Sequence, residues 1–114
     1  MRQRQPRQKA DWHLDFIRGL PCCVCGNNIE TEAAHVRMPN AKAAKRDTGK
    51  GEKPDDIFVV PLCGRHHREQ HDIGEREFWA TVGVDAIFTA LALWARTGNQ
   101  AAGEQICANA HQRV

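Results

Sequence analysis

The spacing of apolar residues separates this chain into helical and extended segments. Near the N-terminus, Trp12 and Phe16 lie four positions apart, and Ile17 follows directly. Residues four apart share one face of a helix, so residues 10–20 are predicted to form a short amphipathic helix that ends near Gly19. The helix is too short to form a core alone and must pack against other elements.

Two other segments have the spacing of strands. Residues 29–36, IETEAAHV, alternate loosely between polar and apolar side chains, which predicts a strand. Residues 57–62, IFVVPL, are rich in β-branched residues and predict a buried strand that ends at Pro61. The segment between them is rich in Pro, Gly, Asn and charge, which predicts a long exposed loop with a functional role or no fixed structure.

Helical spacing dominates the second half of the chain. Three helical segments are predicted there: 63–72, 74–83 and 84–98. In the last of them Ile87, Leu91 and Trp94 share one face, and alanines fill the positions between them. Residues 99–114 have little apolar periodicity and are predicted to be a flexible tail.

A chain of 114 residues supports one compact domain. With seven aromatic residues and no Tyr, its core must be small, and small domains often depend on a metal or a disulfide. The polar, basic N-terminus lacks the apolar segment of a signal peptide, so the five cysteines are expected to be metal ligands or free thiols. No apolar run approaches the roughly 18 residues needed to cross a membrane, so we expect a cytoplasmic protein with no membrane partner.

Basic residues concentrate in two segments. Residues 1–18 carry a net charge of +3 and residues 37–53 a net charge of +4, whereas the remainder is acidic. Such a distribution suits binding to a phosphate backbone, although a solvated arm and a solvated loop would show the same pattern. The candidate DNA contacts in the second segment are Arg37, Lys42, Lys45, Arg46, Lys50 and Lys53.

Two short motifs have the spacing of a structural zinc site. Cys22 and Cys25 form C-x-x-C, and Cys63 and His66 form C-x-x-H at the start of a predicted helix. Pairs two residues apart in a turn can direct both ligand atoms at one tetrahedral Zn²⁺. The sequence CCVC leaves Cys23 as a competitor, but only Cys22 has the two-residue gap to Cys25. The alternative is a set of buried free cysteines beside a surface histidine.

The remaining histidines divide into a pair and two isolated residues. His67 and His71 are spaced i, i+4, so both project from one helix face, rotated by roughly 90° from Cys63 and His66. This face can offer an open two-histidine metal site, although His67 could instead replace His66 in the zinc site. His13, His111 and Cys107 lack partner motifs: the two histidines are expected on the surface, and Cys107 is expected to have no role in a site.

Taken together, these motifs resemble the HNH (His-Me finger, ββα-metal) endonuclease family. The resemblance rests on LPCCVCG, EAAHVR, KPDDIFVVPLCGRHHREQHDIGEREFW and a final helix containing LW, and it covers roughly residues 12–96. It is strongest to small phage and prophage proteins that include the recombination-enhancing, RecA-dependent nuclease domain. It implies an α+β fold: a small zinc-braced ββα-metal core with flanking helices over residues 11–98, preceded by a basic disordered arm at 1–10.

The resemblance also implies a chemistry. His35 would be the general base that activates water, and His67 and His71 would hold one catalytic divalent ion, Mg²⁺ or a transition metal. The loop at 37–53 would lie along DNA phosphates. The implied protein is a DNA endonuclease or nickase that acts in phage or prophage recombination, with a recombinase–DNA filament as a further partner.

Two positions depart from the family. Ala34 stands where many members have a third metal ligand, and Phe58 stands where the base-orienting Asn is usual. Asp56, or alternatively Asp55, is the candidate substitute for that Asn. These departures leave two alternatives open: His35 serves as a metal ligand rather than as the base, or the domain is a catalytically degenerate, zinc-stabilised DNA-binding module. A separate alternative is a protein-interaction adaptor that uses the acidic C-terminal helices.

Overall fold

The computed structural model describes residues 10–38 and 56–112, which form a small α+β fold. The expected class is therefore confirmed. Several predictions concern residues outside these ranges: the arm at 1–10 (except Ala10), most of the loop at 37–53 with Lys42, Lys45, Arg46, Lys50 and Lys53, and the alternative Asp55. The elements are α1 (Asp11–Arg18), β1 (Thr31–His35), β2 (Val59–Cys63), α2 (Gly64–Ile73), α3 (Glu75–Val82), α4 (Ala86–Ala95) and α5 (Gln100–Gln112).

The two strands pair as an antiparallel sheet in which Ala33 lies opposite Pro61 and His35 opposite Val59. The prediction that the second strand ends at Pro61 is wrong, because Pro61 lies inside β2. A two-stranded sheet leaves each strand with an open edge, where a proline without an N–H removes no necessary bond. The Pro61 carbonyl is also used, since it accepts from the Cys23 N–H at 3.0 Å.

The core of the described residues surrounds this sheet. All of β2 is buried, and the helices α1, α2 and α4 pack against it. Helix α2 follows β2 without an intervening loop, so the strand that forms the core also determines where α2 begins. The β1–β2–α2 order is therefore a strand pair followed directly by a helix.

Helix α5 lies where the sequence predicted a flexible tail, so that prediction is wrong for residues 100–112. Its packing face is made of small residues, which produce little apolar periodicity. A β-carbon on Gly103 would lie 2.8 Å from side-chain carbons of Phe16 and Leu20, so the glycine permits close contact with α1. Cys107, which the sequence left without a role, is 1% exposed and belongs to the core.

His13, expected on the surface, is fully buried in α1. Its Nδ1 lies 2.7 Å from Thr97 Oγ1, while its Nε2 has no hydrogen-bond partner among the described residues. Burial lowers the pKa of His13 below its usual value, and the charge of Asp56 opposes this shift only in part. The buried imidazole is therefore held neutral.

The connection between α3 and α4 is a sharp turn. Gly83 adopts a φ of 72° at the end of α3, and the Asp85 carboxylate accepts from the Phe88 N–H at 2.9 Å at the start of α4.

In the part of the chain that the structure describes, no single helix is long and apolar enough to cross a membrane. The α3–α4 pair meets the length and composition criteria together but is bent by 83°.

Replacement of Gly103 by valine should detach α5 from α1. The added carbons would overlap Phe16 and Leu20, and overpacking of a buried contact costs about 1–3 kcal/mol. Urea unfolding of Gly103→Val and of the exposed control Ala101→Val measures this cost. Equal stabilities for the two variants would contradict the packing of α5.

His13 should make the free energy of unfolding depend on pH. The pKa of His13 is lower in the folded chain than in the unfolded chain, where it is about 6.5. As the pH falls below 6.5 the unfolded chain binds a proton first, so the free energy of unfolding decreases by at most about 1.4 kcal/mol per pH unit. Unfolding measured from neutral to mildly acidic pH should show a smaller slope for His13→Gln than for the wild type. Identical slopes would contradict a buried neutral His13.

Candidate metal centre

Four side chains from two separate segments converge at one point. The ligand atoms of Cys22, Cys25, Cys63 and His66 all lie within 4.8 Å of one another. The structure thus brings together the two motifs predicted to share an ion, and the four side chains could hold one. It also assigns the ambiguous position, because Cys22 and not Cys23 joins this cluster.

Local backbone geometry directs the two N-terminal thiols. The Gly26 N–H donates to the Cys22 carbonyl at 2.8 Å, and Gly26 has a φ of 78°, a conformation that favours glycine. The Val24 N–H points at Cys22 Sγ, 3.4 Å away. The turn thus places Cys22 and Cys25 on one side and leaves Cys23 facing the core.

The second half of the cluster forms where β2 becomes α2. Cys63 is the N-cap of α2, and His66 lies in the first turn of the helix. Cys63 Sγ lies 3.2 Å from His66 Nδ1, so strand and helix contribute adjacent ligand atoms at the point where they join.

Two of the separations are close to those around a tetrahedral ion. Cys22 Sγ lies 3.8 Å from His66 Nδ1, and the sulfurs of Cys25 and Cys63 are 3.9 Å apart. Zinc bonds of about 2.3 Å to sulfur and 2.0 Å to nitrogen place tetrahedral ligands about 3.5–3.8 Å apart. Three thiols and one imidazole are also a donor set that zinc accepts.

One thiol of the cluster has a shifted pKa. The pKa of Cys25 is raised to about 11, chiefly by burial and in part by the neighbouring Cys22. A cation reverses this effect, because a coordinated thiol loses its proton. Burial also raises the pKa of Cys23 well above its usual value. Cys23 lies outside the cluster, so an ion bound there would not be coordinated by its thiol.

A second pair of groups lies at the end of β1. His35 Nε2 is 2.9 Å from Asp56 Oδ1. Asp56 is 1% exposed, and its other oxygen accepts from the Ala10 N–H at 2.8 Å, so α1 helps to hold the carboxylate. The sequence named Asp56 and Asp55 as alternatives, and the structure brings Asp56 to the histidine.

A third group lies on the flank of α2. The rings of His67 and His71 are centred 5.0 Å apart, as their i, i+4 spacing predicts. His67 Nδ1 lies 2.6 Å from Oε1 of Glu32, a residue that sequence reasoning missed. Glu32 and Ala34 project from the same face of β1 because side chains alternate along a strand, and that alternation is the signal that could have drawn attention to Glu32.

His35, His67 and His71 do not converge as the four-residue cluster does. Within the described ranges, Cys22, Cys25, Cys63 and His66 are the only group of three or more such side chains whose ligand atoms lie close enough to share an ion. Of the basic residues predicted to contact DNA, the structure describes Arg37. Its backbone N–H donates to both oxygens of the Glu75 carboxylate, at 2.9 and 3.1 Å.

Comparison with known proteins identifies a family without a described activity. The sequence profile of the family described as "Protein of unknown function (DUF968)" matches residues 1–101. "Uncharacterized protein YdfU" of Escherichia coli (strain K12) is 30% identical over 70 residues, which is 61% of this chain and 17% of that protein. The chain therefore corresponds to a small part of this relative. No solved structure matches.

Removal of one thiol of the cluster should release the ion. We expect about one tightly bound zinc per wild-type chain, and Cys25→Ser should lose it because a hydroxyl is a poor zinc ligand. Elemental analysis of the purified chains measures the content, with Cys107→Ala as the matched control that removes a buried thiol outside the cluster. Zinc retained by Cys25→Ser, or lost equally by both variants, would contradict the assignment.

Proposed function

The chain belongs to the DUF968 family of proteins of unknown function, and we propose that it is a metal-dependent DNA endonuclease or nickase of the HNH type. The observation that carries the proposal is the His35–Asp56 pair at the end of β1. The partner strand, β2, leads directly into α2, which carries His67 and His71. Neither the family description nor the relative's name assigns an activity, so the proposal rests on this arrangement and on the sequence resemblance.

His35 is the proposed general base. Its Nε2 faces the buried carboxylate of Asp56, and the ring would take a proton from water. The carboxylate stabilises the imidazolium that results and holds the ring in one orientation, the role for which family members use Asn. Because Asp56 is itself held by the Ala10 N–H, the orientation of His35 depends on the packing of α1 against the sheet.

His67 and His71 are the proposed ligands of the catalytic divalent ion. They share one face of α2, and imidazole nitrogens suit Mg²⁺ less well than a transition metal. When bound there, a divalent ion would supply the positive charge that stabilises a scissile phosphate and its leaving oxygen. The protein would determine the position of that ion, because both histidines belong to a helix that the proposed zinc cluster holds in place.

We propose a structural zinc ion for the Cys22, Cys25, Cys63 and His66 cluster. It would join the N-terminal turn to the β2–α2 junction and stabilise a core with few aromatic residues. The ion would have no part in cleavage, because all four of its ligand positions are occupied by the chain.

DNA is the proposed substrate. The basic segments at 1–18 and 37–53 would neutralise phosphates, which position a protein on DNA without reading its sequence. The resemblance to phage and prophage proteins supports a role in recombination, with a recombinase–DNA filament as a partner, in the cytoplasm of a bacterial host cell.

Ala34 favours one alternative. Its methyl group is fully buried and supplies no ligand where many HNH proteins have one, and Phe58 supplies no amide to orient the base. A protein that had lost both groups could still bind DNA through its basic segments and keep the zinc cluster for stability. The alternative function is therefore a catalytically degenerate, zinc-stabilised DNA-binding module.

A plasmid nicking assay separates the two functions. With Mg²⁺ or Mn²⁺ added, wild-type protein should convert supercoiled DNA to the open circle, and His35→Ala should lower the rate by about 10²–10⁴-fold because it removes the general base. Gln105→Ala is the control, since it removes an exposed polar side chain of α5 whose hydrogen bond is to Asn109 on the same helix. Salt-dependent DNA binding with equal nicking by wild type and His35→Ala would overturn the nuclease and favour the binding module.

A further inference from the structure

We infer that Glu32 is the positioning residue of His67, which it turns so that the Nε2 atom of the ring is the one that binds the ion. This inference rests on the proposed function, because it concerns the same two-histidine site on α2. Glu32 belongs to no motif of the sequence, and it enters the site only through the pairing of β1 with β2.

The contact is short and joins two elements. Glu32 Oε1 on β1 lies 2.6 Å from Nδ1 of His67 on α2. Glu32 lies opposite Leu62, one residue before the strand passes into the helix junction at Cys63. The strand pairing therefore brings the carboxylate beside the second turn of α2.

The contact selects one form of the imidazole. A carboxylate only accepts hydrogen bonds, so in neutral His67 the proton lies on Nδ1 and the lone pair on Nε2. Histidines that bind metals almost always donate their other ring N–H to a carboxylate or a carbonyl, which fixes the tautomer and makes the ligand nitrogen more basic. The Glu32–His67 pair has this arrangement, with the His71 ring beside it on the same helix face.

The first residue of α2 provides space for the carboxylate. A β-carbon on Gly64 would lie 3.4 Å from Glu32 Oε2 and 3.2 Å from an Arg68 guanidinium nitrogen. Both charged groups thus flank a position without a side chain, and the second oxygen of Glu32 is turned toward the N-terminus of α2. The N-terminal end of a helix favours a negative charge, which suits a carboxylate at this position.

Metal binding by the intact chain tests the inference without reference to cleavage. Full-length protein with its zinc retained is titrated with Mn²⁺, and free Mn²⁺ is measured by electron paramagnetic resonance. Glu32→Gln should weaken binding by about 10–100-fold, the effect typical of a lost partner behind a ligand histidine. Glu69→Gln is the matched control, because it makes the same change on the exposed side of α2. Equal affinities for the two variants, or no Mn²⁺ binding by the wild type, would overturn the inference.

The ring nitrogens of His67 provide the second readout. In Mn²⁺-free, zinc-retaining protein at mildly alkaline pH, ¹⁵N chemical shifts should show the proton of His67 on Nδ1 in the wild type and in Glu69→Gln. In Glu32→Gln the two tautomers should mix, because an amide can donate as well as accept. If Glu32→Gln weakens Mn²⁺ binding while the tautomer stays unchanged, Glu32 is a ligand and the positioning role is wrong.

The outcomes for Glu32 and for the nuclease are distinguishable. Weaker Mn²⁺ binding and a mixed tautomer in Glu32→Gln, combined with no nicking by the wild type, would support the role of Glu32 and contradict the nuclease. Nicking that depends on His35, combined with equal Mn²⁺ affinities for Glu32→Gln and Glu69→Gln, would support the nuclease and contradict the role of Glu32.

Discussion

The junction between β2 and α2 is the constraint on which the rest of this structure depends. Cys63 ends the buried strand and His66 lies in the first turn of the helix, and their ligand atoms meet the two thiols of the N-terminal turn. An ion bound there would join the N-terminal turn to the β2–α2 junction. In a chain whose core contains few large side chains, such a link can decide whether the elements stay assembled.

The junction also sets the direction of α2, and with it the positions of the other histidines. Once His66 is turned toward the cluster, the geometry of an α-helix directs His67 and His71 to a different side. Glu32 meets His67 there because the register of β1 against β2 is fixed by buried residues such as Ala34 and Leu62. The same packing brings Asp56 to His35. One arrangement of strand, turn and helix thus serves both a structural cluster and the groups of a candidate active site.

The sequence predicted most accurately what depends on local spacing. The C-x-x-C and C-x-x-H pairs, the i, i+4 histidines and the run into β2 are short-range patterns, and the structure has each of them. The choice of Cys22 over Cys23 followed from the two-residue gap. By contrast, α5 was not predicted, because its small residues pack closely without forming an apolar stripe. The role of Gly103 can be recognised only once α5 is seen in contact with Phe16 and Leu20. His13 was misplaced because a lone histidine carries no sign of burial.

Residues that act across elements could be predicted only in part. Asp56 was one of two candidates, since its contact with His35 spans 21 positions and no local pattern separates it from Asp55. For Glu32 the alternation along β1 was the one available signal, and it did not point to His67, which lies 35 positions away. Helix α2 is proposed to serve two metal centres. Anomalous diffraction from Mn²⁺-soaked crystals, recorded on both sides of the zinc absorption edge, tests this directly. We expect a zinc peak among Cys22, Cys25, Cys63 and His66 and a manganese peak at Nε2 of His67 beside His71. A single peak, or His67 in place of His66 at the zinc, would contradict it.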